Sequence, residues 1–245
     1  MHLQFLGCGD AFGSGGRLNT CFHVVGEEIN FLIDCGASSM PALQRAGVDR
    51  QAIDTILITH FHGDHFGGVP FFILEAQMIS KRTRPLRIVG PPKLAERYAQ
   101  AMDVAFPSSK HIPERFKLEF VEIEPGETKA FGRLQVKALE VLHTPAAGPC
   151  LGYRIEAEGK IIAYSGDTEW TDNLIQLGRE ADLFVCECYT HERKVSHHTS
   201  LATLESHLEE IRPKRLILTH MSSDMLERIA TVPYEAAYDG MVVTI

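Results

Sequence analysis

The chain has 245 residues, 44% hydrophobic and 23% charged, with 20 Gly and 12 Pro, values that suit an ordinary globular protein of one large domain or two small ones. No apolar run approaches the roughly 20 residues that span a bilayer, and the start "MHLQFLGCGD" lacks the basic-then-apolar pattern of a signal peptide, so a cytoplasmic protein with no membrane partner is expected. The net charge of −8 argues against holding nucleic acid on a broad basic surface. It leaves a small anionic substrate open, because bound metal ions can set the local field.

In chain order, "LQFLG", "CFHVV", "INFLID", "TILITH", "LRIVG", "KLEFVEI", "LQVKALEVLH", "CLGYRIEA", "KIIAYSG", "LFVCECY", "RLILTH" and "MVVTI" read as strands. Helical periodicity is clearest over 68–82, 92–106, 171–181 and 201–211. Each half opens with strands and adds helices late, which predicts an α+β arrangement of two packed sheets with helices outside, in a single domain over 1–245. The cysteines at 8, 21, 35, 150, 186 and 188 show no C-x-x-C spacing and fall mostly in apolar runs. They read as reduced core thiols.

"GCGDAFG" (7–13) has glycines spaced G-x-G-x-x-x-G and runs into "SGGRLN" without opening a helix. A dinucleotide site therefore fails on context. A glycine-rich turn is the simpler reading; the other is backbone N–H groups, with Arg17 and Asn19, facing an anionic substrate.

"THFHGDH" (59–65) carries His60, His62, Asp64 and His65 straight after an apolar strand. Side chains two apart on a strand share a side, and Gly63 is expected to allow a sharp turn that brings Asp64 and His65 back to the same spot. Burying four such groups without a cation leaves polar atoms poorly satisfied, so a metal site is favoured over a hydrated loop. Further ligand-type residues stand at predicted strand ends: His143 in "LEVLHTP", Asp167 in "IIAYSGDTE" and His220 in "LILTHMSS".

This H-x-H-x-D-H motif, with His143, Asp167 and His220 downstream, resembles the metallo-β-lactamase superfamily, and the likeness runs from "FLGCGDAFGSGGRLNTCF" and "FLIDCG" to "LILTH". The resemblance implies an αββα sandwich with a dinuclear site at one edge of two mixed sheets. It assigns His60, His62 and His143 to one metal, Asp64, His65 and His220 to the other, and Asp167 to a bridge. Imidazole and carboxylate donors suit Zn²⁺, with Mn²⁺ or Fe²⁺ as alternatives. Such ions sit about 3.5–4 Å apart and share a hydroxide. Charge counting then leaves about one net positive charge, a match for a phosphodiester monoanion. Asp34 is either an acceptor that orients a ligand histidine or a strand-end turn residue.

The branch rests on other residues. Antibiotic-hydrolysing relatives commonly place cysteine where this chain has Asp167, whereas glyoxalase-like thioesterases keep the aspartate. The stretch 194–223 resembles the phosphodiesterase branch, which includes ribonuclease Z and cyclic-phosphate phosphodiesterases, and it puts His198 at the general-acid position. A poor alkoxide leaving group needs such a proton. The alternatives are the adjacent His197 or a solvated residue before a helix. Only 23 residues, 144–166, separate His143 from Asp167, which leaves no room for the arm that ribonuclease Z uses to clamp tRNA. A long tRNA is therefore not the expected substrate. The N-terminal cysteine cluster of the cyclic-phosphate enzymes is missing too, and Ser223 stands where an extra histidine would.

The expectation is a dinuclear metal-dependent hydrolase, a phosphodiesterase for a small or cyclic phosphate ester attacked by a bridging hydroxide. His198 and Asp64 are its expected catalytic side chains. Loops 12–19 and 106–116, with Lys110 and His111, are candidate substrate contacts. A thioesterase or lactonase and a metal-binding scaffold are the rivals, and the resemblance suggests a homodimer.

Overall fold

Strands in the middle of each half are apolar on both faces because both faces are covered. In β3 (Asn30–Ile33), Phe31 and Ile33 enter one core and Leu32 another; in β4 (Thr55–Leu57), Leu57 joins the first and Ile56 the second. In β11 (Leu183–Glu187), Leu183 and Val185 are separated in the same way from Phe184 and Cys186. Side chains alternate along a strand, so one buried on both sides shows a continuous apolar run. The computed structural model describes residues 1–109 and 112–245; the proposed contacts Lys110 and His111 lie outside the described residues.

The first sheet has the order β14 (Val242–Thr244), β1 (His2–Gly7), β2 (Cys21–Val25), β3, β4, β5 (Leu86–Gly90), β6 (Leu118–Glu122). The second runs β13 (Glu235–Ala236), β12 (Leu216–Thr219), β11, β10 (Lys160–Tyr164), β9 (Cys150–Ala157), β8 (Leu134–Val141), β7 (Thr128–Phe131). Each half begins antiparallel, through β3 and through β10, and continues parallel. The last strand, β14, returns to pair with β1. The inner faces meet through Phe5, Phe22, Phe31, Tyr153, Tyr164 and Val185. This is the expected αββα sandwich.

Parallel neighbours require crossovers over the sheet. Here α1 (Ser39–Arg45), α3 (Val69–Met78) and α4 (Leu94–Ala105) cover the first sheet, burying Leu43, Phe72, Ile73 and Leu94. The second is covered by α5 (Asn173–Gly178), α6 (Leu201–Glu205) and α7 (Leu208–Ile211), through Leu174, Leu177, Leu204 and Ile211. Among the described residues no helix is long and apolar enough to cross a membrane. All six cysteines are buried and free.

Three local expectations change. The helix predicted over 201–211 is broken at Ser206 and His207. Ser206 Oγ donates to the Thr203 carbonyl at 2.7 Å, and His207 leaves helical geometry (φ −121°, ψ 0°) to stack on Trp170 at 3.6 Å. Helix α1 was hidden by its length and by Pro41, which the first turn of a helix accepts. Strands β7 and β13 are short edge strands without the apolar alternation that marks the others.

Arg82 is 1% exposed and, among the described residues, has no carboxylate partner within ion-pair distance. Its guanidinium donates to the carbonyls of Arg84, Arg50, Gln51, Ile53 and Pro85 at 2.6–3.3 Å, fastening the approach to β5 against the approach to β4. Lysine cannot reproduce this fork. Arg82→Lys is expected to lower stability by about 3 kcal/mol, read as a lower urea midpoint at unchanged slope; an unmoved midpoint would show that the fork is dispensable.

Candidate metal centre

The carboxyl ends of β3, β4, β8, β10, β11 and β12 deliver side chains to one edge of the sandwich. Beyond β4 the chain stays extended through His62 (φ −66°, ψ 150°) and enters the single turn of α2 (Gly63–Phe66), which carries Asp64 and His65. Gly63 is not the sharp pivot expected from the sequence: its φ is not left-handed, and a side chain there would meet open space. The glycine that the packing does require is Gly36, whose Cβ would lie 2.1 Å from the Asp64 carbonyl oxygen. Two hydrogen bonds from the second sheet hold the His60 segment, Tyr153 Oη to Ile58 O at 2.6 Å and Leu151 N to Thr59 O at 3.0 Å.

Seven side chains converge in two groups that could each hold a metal ion, His60, His62 and His143, and Asp64, His65, Asp167 and His220; a third group, Asp167, Glu187, His198 and His220, overlaps the second. Asp167 faces both. Its Oδ1 lies 3.2 Å from His65 Nε2, while its Oδ2 lies 3.3 Å from His220 Nε2, 3.8 Å from His143 Nε2 and 4.0 Å from His60 Nε2. The outer ring nitrogens are held from behind. His65 Nδ1 donates to Asp34 Oδ2 at 2.7 Å, His60 Nδ1 to Thr59 Oγ1 at 3.1 Å, and His143 Nδ1 to the His197 carbonyl at 2.9 Å. These bonds select the tautomer that turns each Nε2 lone pair inward. Asp34 therefore orients a cluster histidine and is also a strand-end turn residue, with φ 57°.

The electrostatics call for a cation. Burial disfavours charge on His65 and His220, yet the carboxylates Asp167 and Asp64 win, pushing His65 well above the usual imidazole range and His220 up to about 10. Against burial, those two histidines hold Asp64 and Asp167 well below the ordinary carboxylate range. Burial and the neighbouring His65 push His60 well below its ordinary value. His62 Nδ1 stands 3.1 Å from His143 Nε2, whose other nitrogen already carries its proton. His60 Nε2 is buried without a partner, and His65 Nε2 and Asp167 Oδ1 face each other at 3.2 Å without a well-aligned hydrogen bond; leaving such atoms unsatisfied costs about 1–3 kcal/mol each. Imidazole and carboxylate donors left unpaired around one point fit a divalent cation.

The profile of the family described as "Anti-Pycsar protein Apyc1" matches residues 1–234. The chain belongs to this family. A ribonuclease Z of Enterococcus faecalis is 28% identical over 98% of this chain and 92% of its own length. The structure of human tRNase Z, short form, superposes with a TM-score of 0.80 at 24% identity, covering 100% of this chain and 99% of that one. The metallo-β-lactamase fold protein YhfI of Bacillus subtilis gives 0.78 at 20% identity over 99% and 98%. These structures share its fold. The chain is a hydrolase of the metallo-β-lactamase fold related to ribonuclease Z.

In this Apyc1-family chain, the residue that the sequence did not disclose is Glu187. It ends β11 fully buried. Its Oε1 accepts a short hydrogen bond from His198 Nδ1 and lies 3.3 Å from His220 Nδ1, while its Oε2 accepts from Thr168 N at 2.7 Å. The only sequence signal was a charged residue inside "LFVCECY". His198 and His197 differ sharply. The His198 ring packs 5.1 Å from His143 and is stacked by Tyr189 at 4.3 Å. The His197 side chain is 50% exposed, and its contribution is backbone: a left-handed φ of 71° that aims its carbonyl at His143. Arg17 Nη1 donates to the Ala237 carbonyl, and Asn19 bonds to the Asp10 carbonyl and Ser38 N, so part of the donor capacity of each is taken within the fold.

Removing the acceptor behind His65 should loosen the metal without unmaking its ligands. Asp34→Asn is expected to weaken divalent-metal binding about 10–100-fold, measured by chelator competition. An unchanged affinity would mean that the ring is held by packing alone.

Proposed function

We propose that residues 1–245 form a single-domain dinuclear hydrolase whose substrate is a small or cyclic phosphodiester and whose general acid is His198. The observation that carries this reading is the Glu187–His198 pair set beside the histidine–carboxylate cluster. Two donor groups sharing Asp167 support two ions per chain, with His60, His62 and His143 on one and Asp64, His65 and His220 on the other. Zinc suits these donors best, with manganese or iron(II) as substitutes. Bound there, the ions supply Lewis acidity and water activation.

The chain's own residues do the rest. Asp64 and Asp167 hold the negative charge that offsets the ions, leaving a balance that suits a monoanionic ester. His198 Nδ1 is committed to Glu187, so Nε2 is the nitrogen that carries a proton to the departing oxygen. Burial pulls the His198 pKa down, but the Glu187 carboxylate more than offsets this and the net shift is upward, which keeps the ring protonated to higher pH. The stack with Tyr189 fixes its plane. An alkoxide departing from phosphorus needs that proton; a thiolate departing from an acyl group does not.

The span 144–166 is filled by a short turn and the β9–β10 hairpin, with no added arm, which supports a small substrate. The likeness to ribonuclease Z and tRNase Z weighs the other way, so RNA 3′ ends belong among the phosphodiesters assayed.

His198→Ala is expected to lower kcat for bis(p-nitrophenyl) phosphate by about 10²–10⁴-fold and to leave thioester turnover within a few-fold. Equal losses on both substrates would remove His198 from the acid role. His197→Asn, a residue that tolerates left-handed backbone, should change either rate by less than about threefold.

Metal removal gives a second check. Zinc at about 100 times its Kd should stabilise the stripped protein by about 2.7 kcal/mol per site, seen as a raised melting temperature that Asp167→Ala abolishes. A melting curve indifferent to zinc would overturn the metal-dependent reading.

A further inference from the structure

Beyond β10 three consecutive residues make three different connections. Asp167 faces both groups of ligand-type histidines. Thr168 N donates to the buried Glu187 carboxylate at 2.7 Å, and that carboxylate also accepts from His198. Glu169 turns outward, its side chain 45% exposed, and its Oε1 accepts from His197 N at 2.5 Å.

These contacts close a ring around His143. Leu142 N donates to Thr168 Oγ1 at 2.9 Å and Glu169 N donates to Leu142 O at 2.7 Å, so the residue before His143 is clamped by 168–169. The imidazole returns to the same segment by another route: His143 Nδ1 donates to the His197 carbonyl at 2.9 Å, and His197 N donates to Glu169. The link through His197 is the one under strain. Its φ of 71° is left-handed, a conformation that a residue with a Cβ leaves unless it is held. The Glu169 carboxylate holds its N–H, and a charge-assisted bond is the stronger kind. The His197 ring, 50% exposed and 3.9 Å from the same oxygen, adds little, because exposed ion pairs are weak.

We infer that Glu169 is a positioning residue for the metal centre: by pinning the left-handed His197 it keeps the His197 carbonyl on His143 Nδ1, and so keeps the His143 ring aimed at the group it forms with His60 and His62. The role rests on the metal reading of the centre. Ligand histidines depend on the acceptor behind them for tautomer and aim. Asp34 supplies that acceptor to His65 and Thr59 to His60 directly, through a side chain. For His143 the acceptor is a backbone carbonyl, whose place depends on a turn, and the support is therefore delivered one residue further out. Glu169 lies at the surface, so replacing it leaves the packing of the core in place.

The test reads the ring and the ion separately, on zinc-loaded full-length protein, and needs no turnover. In histidine-labelled NMR spectra the Nδ1 protons of His143 and His65 are identified by their loss in His143→Gln and His65→Gln. In Glu169→Ala the His143 proton should exchange with water about tenfold faster, while the His65 proton, held by Asp34, keeps its wild-type rate. Chelator competition should show one zinc ion bound about tenfold more weakly in Glu169→Ala, the low end of the loss expected for an orienting group, with the other unchanged. Glu169→Gln, whose amide oxygen accepts the same bond, should bring both readings back to within about twofold of wild type. A His143 proton unmoved in Glu169→Ala overturns the role. Parallel losses at His143 and His65, or at both ions, overturn it as well, because they mark a general loosening. So does a Glu169→Gln as impaired as Glu169→Ala, since charge and not the bond would then be what matters. Wild type that binds no zinc overturns the metal reading and the role of Glu169 together, whereas two bound ions with an unaltered Glu169→Ala overturn the role of Glu169 alone.

Discussion

The Asp34 carboxylate is the constraint on which the centre depends. It is fully buried and accepts from Thr59 N at 2.8 Å, from Thr59 Oγ1 at 2.9 Å and from His65 Nδ1 at 2.7 Å. Through those donors one side chain ties the end of β3 to the segment after β4 and to α2. Thr59 Oγ1 in turn takes the His60 Nδ1 proton. Two of the cluster histidines therefore have their orientation set by a residue that points away from the cluster. A buried carboxylate is tolerated only with its lone pairs occupied, and here the same bonds that satisfy it align the rings.

The two sheets share the work unequally. The first supplies the compact run His60–His65, held by short local bonds. The second supplies His143, Asp167, Glu187 and His220, each from a different strand end, and it reaches across to hold the His60 segment through Tyr153 and Leu151. Three non-glycine residues at the centre take left-handed backbone: Asp34, His197 and His220, with φ of 57°, 71° and 54°. Such conformations cost about 1–2 kcal/mol each, and each is held by hydrogen bonds that would break on relaxation. His220 N is bonded to Cys8 O, Asp34 N to Leu57 O, and His197 N to Glu169 Oε1 at 2.5 Å. Strain of this kind gathers where geometry must be exact for function.

Glu187 joins two roles in one carboxylate. One oxygen faces both His198 and His220, and the other is taken by Thr168 N. The charge on the histidine nearest the rim is thus coupled to a ligand-type histidine inside. The path between the two rings is one carboxylate long, through a Glu187 that is fully buried. Tyr189 stacks on the His198 ring of that pair.

Sequence alone determined a good deal. "THFHGDH" was legible because its four donors are packed into six positions after a strand, and His143, Asp167 and His220 because ligand-type residues at strand ends break apolar runs. The alternation of apolar runs also foretold two sheets with helices outside. What sequence could not decide was set by long-range contact. Glu187 looked like one charge in a buried strand until β11 was placed between β10 and β12 with His198 folded back over its end. The different placement of the two neighbouring rings needed the positive φ of His197, with the His198 ring packed against His143 and Tyr189 and the His197 ring half exposed. Arg17 looked wholly free for an anion until the C-terminal segment arrived to take one of its guanidinium nitrogens. The pivot assigned to Gly63 proved to be an ordinary helical residue, because the turn is made by the extended His62 before it. Residue type and local spacing are read along the chain, whereas burial, partner and orientation are fixed only when distant strands close on one another.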